Sequence, residues 1–453
     1  MAFAFAVMGD PVSSVAYCIE AALRALDGHL ELLFPTMLLV VGIIALVDVN
    51  YHQLVGRFPE GGGAAAAAGG AFGEAWAFIR MGALIVDYVL TIAISVAAGA
   101  AAIIALLPGL ADERDVIALL LLLTVAAPTW FGHGGRALFS LMTMAFVAVA
   151  SAMLVGGALI AHPLGTEHAL GGAHSGPLAI VLAFPVAMAL ATGTEAPSSA
   201  IAQLGQLDDI GRRRFGRITL WLTLGIVGCL TLGLTALAVG LGVGIPRPDS
   251  TQIADLARVI APGPLFAAFQ ATTSLLLLAA ASSSFQAGPG LLRALARRRL
   301  PEGGSVGVLA GWLGTTNRHH TPYWGVVVYA ILSAVVVVVA GGHDQVLVLY
   351  YAVAVFLAFL SGLVAMARYS FADRSWAFLA VNVAGGIAVT FTIAVNLARI
   401  YPLVSLVAAL AVGAGLYGLW VRAGRPRGIA GALAEAETPP SSEPVPAADT
   451  KTA

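Results

Sequence analysis

Charge is scarce in this sequence. Of its 453 residues only 10% are Asp, Glu, Lys or Arg, while 59% are hydrophobic; mean hydropathy is +0.91. A soluble protein of this length needs far more charge to stay dispersed. The formal net charge of −1 gives no field for a polyanion, and no nucleic-acid partner is expected. Cysteine is almost absent. Cys18 and Cys229 lie inside apolar runs and read as small buried hydrophobes, not as a disulfide framework or a metal site. Met1 leads straight into apolar residues without a basic leader, so no cleavable signal peptide is expected. Nor is there a Walker motif, a Gly-x-Ser-x-Gly elbow or a zinc-ligand spacing. No enzyme and no cofactor are expected. The glycine-rich FPEGGGAAAAAGG has no lysine after it and reads as a cytoplasmic connector, not a phosphate loop.

What the chain does have is apolar stretches of about 20 residues, repeated along its length, each long enough to cross a ~30 Å hydrocarbon core. They are too long and too uniformly apolar for the alternation of a membrane β-barrel. The fold class is therefore an all-α polytopic membrane protein. Twelve spans are predicted, near 2–25, 31–50, 75–107, 115–130, 136–161, 177–204, 215–243, 263–292, 322–340, 345–367, 376–397 and 401–421. The third and eighth exceed what a bilayer needs and should tilt or emerge. Residues 1–422 form the transmembrane domain, and 423–453, rich in Pro, Ala, Ser and Glu, read as a disordered cytoplasmic tail. One set of loops holds most of the arginines, among them Arg57, the cluster Arg212, Arg213, Arg214 and Arg217, and Arg293, Arg297 and Arg318; the other set holds Arg24, Arg114, Arg247, Arg258 and Arg399. By the positive-inside rule both termini are cytoplasmic, in a multi-pass protein of the cell membrane. His162, His168 and His174 fall in an external loop and His319-His320 in a cytoplasmic turn; an ordinary solvated loop is the reading for both.

Two spans carry the same interruption. The first contains MGDPVSSVAY and the sixth contains ATGTEAPSS, each combining glycine, an acid and proline at membrane depth. Proline removes a backbone donor and clashes with the preceding turn, and glycine makes unwinding easy. Unpaired backbone survives at that depth only around a cavity or a ligand. Five spans separate the two interruptions, the spacing of an inverted five-helix repeat with its substrate site where the broken helices meet. The repeats are then 1–161 and 177–367, followed by extra helices over 376–421.

Asp10, Asp87 and Glu195 place three acids at membrane depth, with no lysine or arginine expected beside them. Each charged acid at a helix centre costs at least ~2.5 kcal/mol on insertion scales. A cation partner, protonation, or both are expected. Asp87, Thr91 and Ser95 recur every four residues and put their oxygens on one helix face, with Tyr88 on its flank. Such a stripe serves equally as an ion path or as glue between two helices.

At these residues the chain resembles the amino acid-polyamine-organocation (APC) superfamily, and within it the KimA-type potassium importers. The resemblance is carried by GDPVSSVAY, YHQLVGRFPEGGG, DYVLTIAIS, ATGTEA, SSSFQ, TPYWGV and LYYAVAVF, in order along most of the chain. It implies the LeuT-type fold and secondary transport by alternating access. It also implies a potassium site on Asp10, Tyr17, Asp87, Tyr88, Thr91, Ser95, Thr192, Glu195 and Tyr351. Hard oxygen ligands of this kind suit an alkali cation. Ala196 and Pro197 offer Glu195 no charge compensation, so Glu195 is the acid expected to carry the coupling proton, with Asp10 as the alternative. The chain departs from those importers at Pro11, at Cys18 and Ile19, in GGGAAAAAGG, and in lacking their long cytoplasmic regulatory domain, so nucleotide regulation is not expected. The expected partners are a small cation or amine, a coupling proton and the bilayer. The alternative is an amino acid or polyamine permease of the same fold, in which Asp10 would repel a substrate carboxylate unless protonated. Nothing in the sequence fixes the oligomeric state, and a homodimer is compatible with it.

Overall fold

The computed structural model describes residues 2–132, 135–159, 176–201, 204, 207–261, 263–299, 305–426 and 428–429. The histidines of the external loop, His162, His168 and His174, and most of the tail lie outside the described residues. The chain is helical almost throughout. Its first helices are α1 (Ala2–Ser13), α2 (Val15–Ala25), α3 (Leu30–Arg57) and α4 (Gly63–Phe72). Then come α5 (Ala77–Leu106), α6 (Arg114–Trp130), α7 (Arg136–Ala158), α8 (Pro177–Ala187) and α9 (Ala196–Ala200). The remainder is α10 (Asp209–Gly240), α11 (Gln252–Ile260), α12 (Pro264–Ala296), α13 (Tyr323–Val339), α14 (Asp344–Ala372), α15 (Trp376–Leu397) and α16 (Ile400–Arg422). A short antiparallel pair, Arg298–Arg299 with Ser305–Val306, follows α12.

Among the described residues, 9 helical segments are long and apolar enough to cross a membrane. The other three predicted spans correspond to shorter pieces: α1 with α2, and α6 and α13 with 17 residues each. The third span is continuous from Glu74 to Leu106, and α12 runs on for 33 residues, so both are as long as expected. Apolar side chains stand exposed along the outer helices, among them Leu141 on α7, Ile331 on α13, Ile387 on α15 and Val407 on α16. In water such a surface would aggregate; in a bilayer it is the lipid contact. The same setting corrects the reading of Cys229, which is exposed on α10 while Cys18 is buried. On a lipid-facing helix an apolar run says nothing about which of its residues face protein.

Three further features lie outside the sequence reading. The connector GGGAAAAAGG is largely helical, forming most of α4, and is buried against α14. Its small residues permit the approach: a Cβ on Gly362 would meet the Ala64 methyl at 2.9 Å, and one on Gly70 would meet the Tyr369 hydroxyl at 2.7 Å. The loop after α10 holds a helix, α11, capped by the Thr251 hydroxyl on the Ala254 amide. The start of the tail is packed, not loose: Glu74 accepts from the amides of Gly428 and Ile429, and Ile429 is buried.

α5 is the axis of the molecule, wrapped by α12, α14 and α16. Its closest approach is to α16. A Cβ on Gly82 would lie 2.4 Å from the Ala409 carbonyl oxygen and 2.5 Å from the Gly413 nitrogen. In lipid, where water gives helices no reason to associate, such small-residue contacts hold them together. A polar knot also joins α3, α14 and α15: Asn50 donates to Asn382 at 2.9 Å, and Asn382 donates to Gln53 at 3.0 Å. Gly82→Val puts a branched side chain against backbone that cannot step aside. The expected cost is about 1–3 kcal/mol, as for overpacked cores, read as a lower Tm in detergent. An unchanged Tm would show that α16 is not anchored at this crossing.

Candidate functional site

The first span bends later than its sequence suggests. α1 runs through Gly9, Asp10 and Pro11, and the helix is interrupted only at Ser14. Pro11 has no amide to bond back along the helix, and two serines take up the carbonyls around it. The Ser13 hydroxyl donates to the Asp10 carbonyl at 2.6 Å. That of Ser14 lies 2.6 Å from the Pro11 carbonyl and 3.0 Å from that of Leu190. Hydroxyls that re-satisfy freed backbone are what a helix break in lipid requires. The sixth span opens further. α8 passes into a 3-10 turn at Met188–Ala191, the chain turns through Thr192, Gly193, Thr194 and Glu195, and helix resumes at Ala196.

The two interruptions touch. Ser14 reaches Leu190, and Gly193, with φ +71°, lies against Asp10. A Cβ on Gly193 would meet Asp10 Cγ at 2.7 Å and Pro11 Cδ at 2.9 Å. Glycine is required there twice, by its left-handed backbone and by the missing space. Next to this contact is a cavity of about 10 Å³, lined by Asp87, Gly193, Glu195, Tyr351 and apolar residues of α5 and α14. That is room for one water-sized particle.

Of the residues predicted for the site, Asp87, Glu195 and Tyr351 line the cavity, and Asp10 adjoins it through Gly193. Tyr17 and Thr192 are paired with each other by their side chains. Thr91 and Ser95 are buried, one and two turns along α5 from Asp87, and are not in the cavity wall. Tyr88 is half-buried, edge-on to Tyr329 at 6.3 Å. The stripe thus contributes its acid to the cavity. Oδ1 of Asp10 and of Asp87 is buried without a well-formed hydrogen bond among the described residues, and the Tyr351 hydroxyl is turned toward the Asp87 carboxyl.

The expectation that the three acids have no basic neighbour is overturned. Arg80 Nη2 lies 2.5 Å from Glu195 Oε2, with the arginine side chain 3% and the glutamate 16% exposed. Tyr51 on α3 donates to the same carboxylate oxygen at 3.3 Å. Arg80 sits in the first turns of α5, two turns before Asp87 on the same face, and reaches across to the opened sixth span. The seven-residue spacing from Asp87 was the signal for it; Tyr51, inside the YHQLVG stretch, carried none. Three carboxyl groups stand against one guanidinium, so Asp10 and Asp87 have no basic partner among the described residues.

Polar contacts stand on either side of the cavity. On the side of the arginine-rich loops stand Arg80, Glu195 and Tyr51. On the other side α11 lies over α2: the Gln252 amide donates to Glu20 at 3.0 Å, Arg24 pairs with Glu20 at 2.8 Å, and Gln345 reaches the Tyr17 carbonyl at 3.4 Å.

Removing one member of a buried ion pair strands the other charge, typically at about 3–5 kcal/mol. Arg80→Met is therefore expected to destabilise the protein by that order, and Arg80→Met with Glu195→Gln to recover a large part of the loss. Thermal unfolding of the two singles and the double variant reads the coupling. Strictly additive losses would show that the pair contributes nothing.

Comparison with known proteins places this geometry. The sequence model of the family described as "Amino acid permease" matches residues 2–417. The potassium transporter KimA of Bacillus subtilis is 30% identical over 370 residues, covering 77% of this chain and 58% of KimA, so the chain spans well under two thirds of that relative. Among solved structures, the manganese transporter of Eremococcus coleocola, crystallised with an aromatic bis-isothiourea compound, aligns at 13% identity with a TM-score of 0.48, over 93% of this chain and 94% of that one. A variant of the same transporter aligns with a TM-score of 0.49, also at 13% identity, over 93% of both chains. With the family match running from the first helix nearly to the end of the last, the chain belongs to the amino acid permease family of the APC superfamily.

Proposed function

We propose that this membrane transporter takes up a small monovalent cation, potassium in the first place, together with a proton that moves down its gradient. The observation that carries this reading is the pair of orphaned carboxylate oxygens, Asp10 Oδ1 and Asp87 Oδ1, at the contact of the two interrupted spans. The one basic side chain found in the cluster, Arg80, is already engaged by Glu195. Two carboxylates without a counter-charge attract a cation, and a cavity of about 10 Å³ suits a desolvated alkali ion better than an amino acid. Oxygens of Tyr17, Thr192 and Tyr351 supply the rest of a hard donor set. The similarity to a potassium transporter supports the same choice.

Coupling follows from the shared cluster. The proton and the cation are held together among Asp10, Asp87 and Glu195, and only the doubly loaded site crosses. Of the two acids expected to carry the proton, Glu195 has Arg80 and Tyr51 as partners, and Asp10 has the unsatisfied oxygen. In this reading Asp10 couples, and the Arg80–Glu195 pair closes the site on the side of the arginine-rich, cytoplasmic loops. The LeuT-type arrangement, with twelve spans, two inverted five-helix repeats and alternating access, completes the proposal.

A second reading has one observation in its favour. Nε and Nη1 of Arg80 are buried without partners among the described residues. Such donors suit a substrate carboxylate, with Asp10 left for the amine, as an amino acid permease would need.

Uptake into liposomes under an imposed proton gradient separates the two. Rb⁺, standing for K⁺, is expected to accumulate, to be displaced by K⁺, and to depend on external pH between 5.5 and 8 (roughly the range in which a buried carboxyl competes for protons). Asp10→Asn should lower accumulation at least about tenfold, the order expected for loss of a charged contact. Uptake of labelled neutral amino acids with no accumulation of Rb⁺ would overturn the cation reading.

A further inference from the structure

A second acid lies outside the cluster. Asp48 on α3 is 2% exposed, and its Oδ1 has no hydrogen-bond partner among the described residues. It lines its own cavity of about 10 Å³, between α3, α10 and the opened sixth span. The wall is aliphatic: Val41 and Ile44 from α3, Leu220 and Val227 from α10, and Leu190. Its only other side-chain oxygens belong to Thr194 and Thr223, whose hydroxyls already donate to the carbonyls of Ala191 and Thr219.

We propose that Asp48 is a second proton-binding site of the transporter, whose occupancy is sensed by the interrupted sixth span through Thr194. Four side-chain oxygens from three residues, two of them hydroxyls already engaged with backbone carbonyls, are too few to replace the hydration shell of an alkali cation. A bare carboxylate is strongly disfavoured in such a place. A proton neutralises it and needs no room. Thr194 belongs to the Thr192–Glu195 turn that forms the cation site, so the two cavities share one piece of backbone.

The groups around Asp48 leave it no counter-charge. α10 presents Leu220, Thr223, Leu224 and Val227, and the sixth span presents Leu190 and Thr194. Tyr51, one turn along α3, is within electrostatic reach and donates to Glu195, which pairs with Arg80. His52 and Arg217 lie beyond it at the end of α3, where His52 accepts from Trp221 and Arg217 packs on Gly56. Tyr51 thus joins the two acids: a change of charge on Asp48 is felt by the tyrosine that helps hold Glu195.

This inference rests on proton-coupled transport, and its test is chosen to stand apart from that reading. Infrared difference spectra of the full chain in liposomes, recorded across a pH titration, detect the carbonyl stretch of a protonated carboxylic acid without any substrate. A titrating band present in the wild type and lost in Asp48→Asn is expected. In the same liposomes Asp48→Asn should lose at least about tenfold of Rb⁺ accumulation under a proton gradient while Rb⁺ counterflow, which moves no net proton, persists. Asp48→Glu should keep accumulation with a displaced pH profile, and it carries the test if the asparagine variant does not fold. An unaltered band in Asp48→Asn, or a wild-type pH profile in Asp48→Glu, would overturn the proposal. So would stimulation by Na⁺ that depends on Asp48, because the site would then hold a metal cation. A wild-type protein that shows the Asp48 band but moves no Rb⁺ would leave the proton site standing and remove the cation reading.

Discussion

The contact between the two interrupted spans is the constraint on which the rest of the site depends. Gly193 can lie against Asp10 only because it has no side chain and a left-handed backbone. Ser14 can bridge to Leu190 only because the helix gives up its regular bonding there. Each interruption leaves backbone that lipid cannot satisfy, and the Ser14 hydroxyl of the first satisfies a carbonyl of the second.

Electrostatics then decides what the site holds. Acids this deep are costly unless compensated. Arg80 compensates one of them, and the two acids without a basic partner among the described residues sit on the α1 and α5 side of the cavity. Arg80–Glu195 is also a strong polar bond between α5 and the opened sixth span. Any motion that opens the cavity on that side must lengthen it. The polar contact at the other end, Glu20 with Arg24 and the α11 amide, is built from the same materials.

Much of this was legible in the residues. Helical period and run length placed the spans, and paired glycine, acid and proline located both interruptions within a few residues. What could not be read was partnership. Arg80 is one arginine in a 30-residue apolar helix, and only the fold brings it across to Glu195. Asp48 stands alone in an apolar span, where sequence offers no cavity to place it in. The alanines of α4 read as a plain connector, because nothing in them shows that α14 packs on them. Local pattern fixes which residues a helix contains; long-range packing fixes which of them meet, and pair formation in this site is entirely long-range.

The central claim is that the charge left over at Asp10 and Asp87 is there for a cation. Equilibrium binding of radiolabelled Rb⁺ to the purified protein tests it without any assumption about coupling. The account predicts saturable binding that K⁺ displaces, that neutral amino acids leave unchanged, and that Asp87→Asn abolishes. Binding of a labelled amino acid at the same site, with no measurable binding of Rb⁺, would contradict it.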